Sequence, residues 1–221
     1  MSEIGFLFDL EGVIIDSESE YTRIWSQIES EFPTNIPDFP TKIKGCTLSK
    51  ILNDNYETQE TRDAVAKRLH QLEQQMHYEY LPFAKEFLQI LKDNNIPAAL
   101  VTSSDNKKMS HLWEELPDLQ NFFSHIITGD LVKTSKPSPE GYLLAAKKIG
   151  RKPENCFVFE DSLQGVMAGK NAGAFVVGVC GTLTPDILAP YSHILINNFG
   201  EINLDSLLKA MKSSNCNECN A

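Results

Sequence analysis

Short apolar runs alternate along most of this chain with segments whose apolar residues recur at helical spacing. The runs are four to six residues long and are mostly β-branched or aromatic, which is typical of buried strands. They occupy 4–8, 98–101, 124–128, 156–159, 174–179 and 193–196. The segments between them predict helices over 83–94, 106–117, 138–150, 162–173 and near 204–212.

Strands that alternate with helices predict a parallel sheet with helices on both faces. The expected fold class is therefore α/β, with a Rossmann-like, doubly wound parallel sheet as its core. In such sheets, ligands bind at the carboxyl ends of the strands, so side chains just after each apolar run are the candidates for chemistry.

One segment breaks this alternation. Between about residues 16 and 80 we find no convincing strand, and stretches such as SEYTRIWSQIESEF repeat apolar residues at helical spacing. We expect an all-helical domain over 16–81, inserted into an α/β core formed by 1–15 and 82–213. The polar residues 214–221 predict a flexible tail.

Composition narrows the partners. The formal net charge of −10 and a sequence pI near 5.0 repel phosphate backbones and anionic lipid surfaces, so we expect neither a nucleic acid nor a membrane partner. The start MSEIGFLFDLEG has no basic n-region, and five cysteines lack the spacing of a disulfide framework. We therefore expect a cytoplasmic protein with reduced thiols and, since no exposed heptad predicts assembly, a monomer.

Polar side chains follow the predicted strands at the edge where ligands bind. The first strand is followed by two carboxylates, the second by three hydroxyls and the fourth by an acidic pair, while a loop supplies a lysine. These residues are Asp9, Glu11, Thr102, Ser103, Ser104, Lys136, Glu160 and Asp161. Carboxylates from two strands suit magnesium, which takes a few protein oxygens and keeps waters for a phosphate. Taken singly, Asp9 also fits a strand-end cap and Lys136 a solvated loop lysine.

Four of these features, in this order, resemble the motifs of the haloacid dehalogenase superfamily. DLEGV (9–13) resembles the first motif, Thr102 the second, Lys136 before proline the third, and the acidic pair Glu160 and Asp161 the fourth. The insertion after the first motif resembles the helical cap of the subgroup with phosphoglycolate phosphatases and β-phosphoglucomutase. The resemblance covers nearly the whole chain.

The resemblance implies roles for individual residues. Asp9 would be the nucleophile that becomes an aspartyl phosphate, Thr102 would donate to a phosphoryl oxygen, and Lys136 would offset negative charge. Magnesium would be bound by the carboxylates of Asp9 and Asp161 and by the backbone carbonyl of residue 11. Glu160 would bind the metal through water or orient Lys136.

Glu11 departs from the family pattern, in which an aspartate at this place acts as general acid and base. Glutamate keeps the carboxyl group but adds a methylene, and displacement by about an ångström can cost on the order of 100-fold in rate. From the sequence alone we expect Glu11 to keep this role with altered efficiency and Glu11→Asp to raise turnover.

Substrate choice is expected from the cap. Lys44, in IKGCTLSKIL (43–52), is a candidate substrate-binding residue, with Ser103, Ser104 and Asn106 in the core. Leu48 stands where mutases of the subgroup carry a phosphate-clamping arginine, which argues against a bisphosphate intermediate.

Three functions therefore stay open. They are a magnesium-dependent phosphatase acting on a small phosphorylated metabolite such as a sugar phosphate, a β-phosphoglucomutase-like mutase, and a catalytically impaired protein that binds a phosphorylated ligand. The phosphatase is the function that the sequence favours.

Overall fold

The computed structural model describes residues 3–43 and 48–218. The chain divides into two compact units: the residues up to Asp16 together with those from Glu79 onward, and the segment Ser17–Tyr78. The boundaries that the sequence predicts, after residues 15 and 81, lie close to these divisions.

Six parallel strands form the sheet of the first unit, in the order β5-β4-β1-β6-β7-β8. All six are strands that the sequence predicts. Their bounds are β1 Gly5–Phe8, β4 Ala98–Val101, β5 His125–Ile127, β6 Cys156–Glu160, β7 Phe175–Val179 and β8 Ile194–Ile196. The order reverses at β1 and β6, so the carboxyl ends of these two neighbouring strands meet at the centre of one edge.

Six helices accompany this sheet. They are α5 Ala84–Asp93, α6 Asn106–Glu115, α7 Glu140–Lys148, α8 Leu163–Asn171, α9 Pro185–Leu188 and α10 Leu204–Glu218. The last helix includes residues 214–218 of the predicted tail, and the flexibility of 214–221 stays a prediction.

The two faces of the sheet are packed differently because strand side chains alternate. Phe6 of β1 stacks on Phe157 of β6 with ring centroids 4.9 Å apart, and Phe87 of α5 packs against the same face. On the opposite face, Leu7 belongs to an aliphatic cluster with Tyr142 of α7. Both faces are thus covered by helices, which confirms the doubly wound α/β class and explains why the strands read as continuous apolar runs.

A two-stranded antiparallel ribbon lies where the chain leaves and re-enters the first unit. It pairs β2, Ile15–Asp16, with β3, Glu79–Tyr80. The sequence analysis missed it because two residues are too short to show a period of two.

The second unit is built from α1 Glu18–Glu31, α2 Phe39–Lys42, α3 Leu48–Asn55 and α4 Gln59–Glu73. Its described residues contain no strand, as the sequence predicts. Arg68 of α4 contacts the Glu31 carboxylate of α1 through Nε at 2.7 Å and Nη2 at 2.8 Å, so a two-point ion pair joins these helices.

Candidate active site

The end of β1 delivers Asp9 to the centre of the sheet edge. The Asp9 amide donates to the Phe159 carbonyl of β6 at 3.0 Å, which extends the strand pairing by one residue and places Asp9 beside the acidic pair. The Thr102 amide is held in the same way by the Ile127 carbonyl of β5, at 2.9 Å. Both predicted site residues therefore sit on rigid strand ends.

Lys136 joins Asp9 to Glu160. Its ammonium group pairs with Oδ1 of Asp9, with Oε1 of Glu160 at 2.5 Å and with the Val101 carbonyl at 3.3 Å. Burial alone lowers the pKa of Lys136, but the charges of Asp9 and Glu160 outweigh burial and raise it, so the lysine stays cationic. The predicted nucleophile and the predicted lysine are thus in direct contact.

The Glu160 carboxylate is wholly buried and accepts hydrogen bonds from two further residues. The Tyr142 hydroxyl donates to Oε1 at 2.6 Å, and the Ser162 hydroxyl donates to Oε2 at 3.0 Å. Ser162 also caps α8, because its Oγ accepts from the Gly165 amide at 3.0 Å. Of the two sequence hypotheses for Glu160, the contact with Lys136 favours orientation of that lysine.

Two glycines make room for these carboxylates. A Cβ atom on Gly12 would overlap the Asp161 carboxylate, and Gly12 also has a φ of +74°, a left-handed conformation that favours glycine. A Cβ atom on Gly165, in the first turn of α8, would overlap the Glu160 carboxylate. Close approach of backbone and acid thus explains both glycines.

Three carboxylates form a cluster at this edge. Ligand oxygens of Asp9, Glu160 and Asp161 all lie within 4.8 Å of one another, and all three residues are buried. Burial, followed by the charge of Glu160, raises the pKa of Asp161 to about 7. Burial also raises the pKa of Asp9, against the effect of Lys136.

This cluster fits a hard divalent cation. Its carboxylates outnumber the single Lys136 ammonium group by two negative charges, and the donors are all oxygen, which Mg²⁺ and Ca²⁺ prefer. Burial is the main cause of the raised pKa of Asp9 and of Asp161, and repulsion from the neighbouring carboxylates raises both pKa values further.

The Glu11 carboxylate points to the end of β4. Its Oε2 accepts from the Thr102 hydroxyl at 3.0 Å, and its Oε1 accepts from Ser104 Oγ at 2.6 Å and from Lys108 Nζ at 2.7 Å. Burial raises the pKa of Glu11, but the Lys108 charge and these hydrogen bonds outweigh burial and lower it to about 2. Glu11 is therefore an ionised carboxylate held by three donors.

The remaining predicted residues are more scattered. Ser103 lines a cavity of about 350 Å³ that Thr102 and Lys136 also line. The Asn106 carbonyl oxygen accepts from the Thr128 hydroxyl at 3.2 Å, which holds this side chain at the start of α6. Lys44 lies outside the described residues.

Two residues of the site were not found from the sequence. Nothing in the sequence distinguishes Lys108 from the adjacent Lys107. Its partner Glu11 lies 97 residues away, so no local pattern links the two. Tyr142 lies at an apolar position of α7, where its ring predicts core packing; its hydroxyl partner Glu160 is 18 residues away. A search for buried side chains with one polar atom would have singled out Tyr142.

Comparisons with known proteins agree with this fold. The sequence profile of the haloacid dehalogenase-like hydrolase family matches residues 6–179. The phosphorylated carbohydrates phosphatase of Thermotoga maritima is 33% identical over 76% of this chain and 80% of its own length, and hexitol phosphatase A of Escherichia coli is 32% identical over 79% and 82%. The crystal structure of a β-phosphoglucomutase from Clostridium difficile superposes with a TM-score of 0.71 at 24% identity, covering 95% of this chain and 97% of that one.

The chain thus has a parallel α/β core with a helical insertion after the first strand. The chain belongs to the haloacid dehalogenase-like hydrolase family, which confirms the resemblance seen in its motifs. Among the described residues, no helix has the length and apolar character that a membrane span requires.

Proposed function

We propose that this chain is a magnesium-dependent phosphatase that hydrolyses a small sugar phosphate through an aspartyl phosphate on Asp9. The observation that carries the proposal is the Asp9 carboxylate, fixed at the end of β1, paired with Lys136 and grouped with two further buried acids. Two relatives that are 32% and 33% identical carry the names hexitol phosphatase and phosphorylated carbohydrates phosphatase, which supports the substrate class.

In the first step, an Asp9 carboxylate oxygen attacks the phosphorus atom. The new oxygen–phosphorus bond forms while the bond to the sugar oxygen breaks, and the sugar oxygen takes up a proton from the protonated form of Glu11. The second step returns this proton to Glu11 for the next turnover. The Lys136 ammonium group, in contact with Asp9, offsets the charge that the nucleophile and the phosphoryl group bring together. The Thr102 hydroxyl lies beside this site and can turn from Glu11 to a phosphoryl oxygen.

In the second step, water attacks the phosphorus atom of the aspartyl phosphate. Glu11 accepts a proton from this water, the Asp9–phosphorus bond breaks, and inorganic phosphate and the Asp9 carboxylate are released. Glu11 is in the protonation state that can accept a proton, because its carboxylate is ionised, with its pKa lowered to about 2. Donation of a proton to the leaving sugar oxygen in the first step requires Glu11 to leave Lys108, because that contact favours the ionised form.

Asp9 and Asp161 are the proposed magnesium ligands, with the backbone carbonyl of Glu11, and Glu160 contributes through water or through Lys136. A bound magnesium ion supplies positive charge to the carboxylates and to the phosphoryl oxygens. The buried all-oxygen cluster supports this assignment.

The test is phosphate release across a panel of sugar phosphates and other small phosphomonoesters, with magnesium and with chelator. Asp9→Asn serves as the blank because it keeps the size of the side chain and removes the nucleophilic oxygen. We expect magnesium-dependent release that is lost in Asp9→Asn. Release that persists in Asp9→Asn, or that chelator leaves unchanged, would overturn the proposal.

A mutase is less well supported. Leu48 replaces the arginine expected of a mutase, and Ser104, which lies where mutases hold a distal phosphate, contacts Glu11. Conversion of β-glucose 1-phosphate to glucose 6-phosphate without net phosphate release would establish the mutase. Ligand binding without either reaction would establish the binding protein.

A further inference from the structure

One short segment supplies every side-chain donor that holds the Glu11 carboxylate in the described structure. Thr102, Ser104 and Lys108 all lie between the end of β4 and the first turn of α6. The three contacts span 2.6 to 3.0 Å and engage both carboxylate oxygens. Glu11 is thus held from one side by a single structural element.

The backbone of this segment is itself fixed. Asp105 caps α6 by accepting from the Lys108 amide at 2.8 Å, so the first helical turn sets the position from which the lysine side chain starts. The Ser104 carbonyl accepts from the Gly129 amide at 2.9 Å, and a Cβ atom on Gly129 would approach the Ser103 carbonyl within 2.6 Å. The backbone from which the donor side chains start therefore has little freedom to follow a displaced carboxylate.

Lys108 differs from the two hydroxyl donors in charge and reach. The Lys108 ammonium group contacts Oε1 of Glu11 at 2.7 Å. The exposed fraction of the side chain is 32% for Lys108 and 22% for Glu11. A glutamate side chain has three rotatable bonds, and fixing such a chain needs interactions that offset its lost rotamer entropy. All three hydrogen bonds end on an ionised carboxylate, but only Lys108 adds an opposite charge, so its contact is also an ion pair.

We propose that Lys108 is a positioning residue that fixes the Glu11 carboxylate for the second step, in which Glu11 accepts a proton from the attacking water. This inference rests on the proposed phosphatase function. Lys108 acts through Glu11 and needs no contact with the substrate. Loss of Lys108 therefore lowers kcat and leaves KM nearly unchanged, whereas a lysine that bound the substrate would raise KM.

The same geometry reverses the change in turnover that the sequence alone predicts for Glu11→Asp. The sequence alone favours a gain in turnover, because a shorter side chain corrects a misplaced carboxylate. In the structure, the three donors match the longer side chain, and Glu11→Asp draws the carboxylate back by one carbon–carbon bond. We therefore expect Glu11→Asp to lower kcat.

The test is a double-mutant cycle on the full chain, with kcat and KM measured on the best substrate of the panel. Lys108→Met and Glu11→Asp should each lower kcat about 10-fold, and the double variant should be no slower than either, since the two residues act as a unit. Lys108→Arg keeps a charged donor and should recover most of the lost kcat. Lys107→Met is the matched control, because it removes the same charge from the adjacent position.

The contact between Lys108 and Glu11 is tested separately, by thermal unfolding rather than by activity. Glu11→Gln and Lys108→Met should shift the thermal unfolding midpoint non-additively, because each variant removes the same ion pair. An additive result would overturn the pairing.

The kinetic outcomes separate the two proposals. If the wild-type protein turns over and Lys108→Met behaves like Lys107→Met, or raises KM alone, the positioning role is wrong and the phosphatase stands. If the wild-type protein releases no phosphate, the proposed function is wrong and the catalytic role of Lys108 is wrong with it.

Discussion

The Tyr142 hydroxyl donates a 2.6 Å hydrogen bond to Oε1 of Glu160, the same carboxylate oxygen that pairs with Lys136 at 2.5 Å. The lysine ammonium group also lies 5.3 Å from the centre of the Tyr142 ring. Tyr142 thus contacts both partners of a buried ion pair, and through Lys136 it is connected to Asp9.

We predict that Tyr142→Phe destabilises the protein. The change leaves the ring in place and removes one donor from a wholly buried carboxylate, and a hydrogen bond to a charged group contributes about 2 kcal/mol. The free energy of unfolding, measured by urea denaturation, should fall by about this amount.

Tyr191→Phe is the control for this change, because it removes the same atom from a half-buried tyrosine outside the site. If the free energy of unfolding fell equally in the two variants, the hydrogen bond from Tyr142 to Glu160 would contribute no more to stability than an ordinary tyrosine hydroxyl.

We predict that Gly12→Ala lowers both the activity and the free energy of unfolding. Alanine at a φ of +74° is strained by roughly 1–2 kcal/mol, and its Cβ atom would in addition displace the Asp161 carboxylate. Phosphate release should fall at least about 100-fold, since a misplaced site residue can cost that much.

Gly173→Ala is a matched control. Gly173 has a φ of +77°, but nothing lies within 4 Å of a Cβ atom placed there. Gly173→Ala should therefore lower the free energy of unfolding through backbone strain alone and keep full activity. If both variants lost activity equally, the overlap with Asp161 would not be the cause.

The comparison of sequence and structure shows what local patterns can predict. The four inner strands were predictable because burial on both faces leaves a continuous apolar run, as in the Phe6–Phe8 segment. The edge strands β5 and β8 are only partly buried but carry apolar runs of the same kind. Asp9 and Asp161 were predictable as neighbours because β1 and β6 end at the same edge.

Other parts of the site could not be predicted in this way. The contacts of Lys108 and Tyr142 depend on side-chain direction across elements that lie far apart in sequence, and no period or spacing records that direction. Gly165 looked like an ordinary helical glycine, and only the position of the Glu160 carboxylate explains it.

We predict a pH-dependent effect of Asp118→Asn on stability. Burial raises the pKa of Asp118, but hydrogen bonds from Lys85 at 2.5 Å and Tyr80 at 3.0 Å outweigh it and lower the pKa. A carboxyl group with a lowered pKa in the folded state stabilises the protein above its unfolded pKa of about 3.9, and this contribution is lost as the pH falls through the folded value.

Asp118→Asn should therefore lower the free energy of unfolding at pH 7 by less than about 1 kcal/mol, because the pair is partly exposed. The difference from wild type should shrink as the pH is lowered from 5 to 2, measured by urea midpoints. Tyr80→Phe removes one of the donors and should show a smaller effect of the same sign. A difference that did not change with pH would contradict this explanation.

The last prediction concerns magnesium and stability, independently of turnover. Asp9, Glu160 and Asp161 repel one another in a buried cluster, so a divalent cation that binds there should stabilise the folded protein. The unfolding midpoint of the wild type should rise with magnesium, by the equivalent of about 2.7 kcal/mol at 100 times the dissociation constant, and fall back with chelator.

Asp161→Asn removes one of the repelling charges and one of the proposed ligands. Without magnesium its midpoint should equal or exceed that of the wild type, and magnesium should hardly change it. Asp186→Asn, a change outside the cluster, should keep the wild-type response. An Asp161→Asn variant that is stabilised as strongly as the wild type would place the magnesium site elsewhere, because the carboxylate of Asp161 could then not be a ligand.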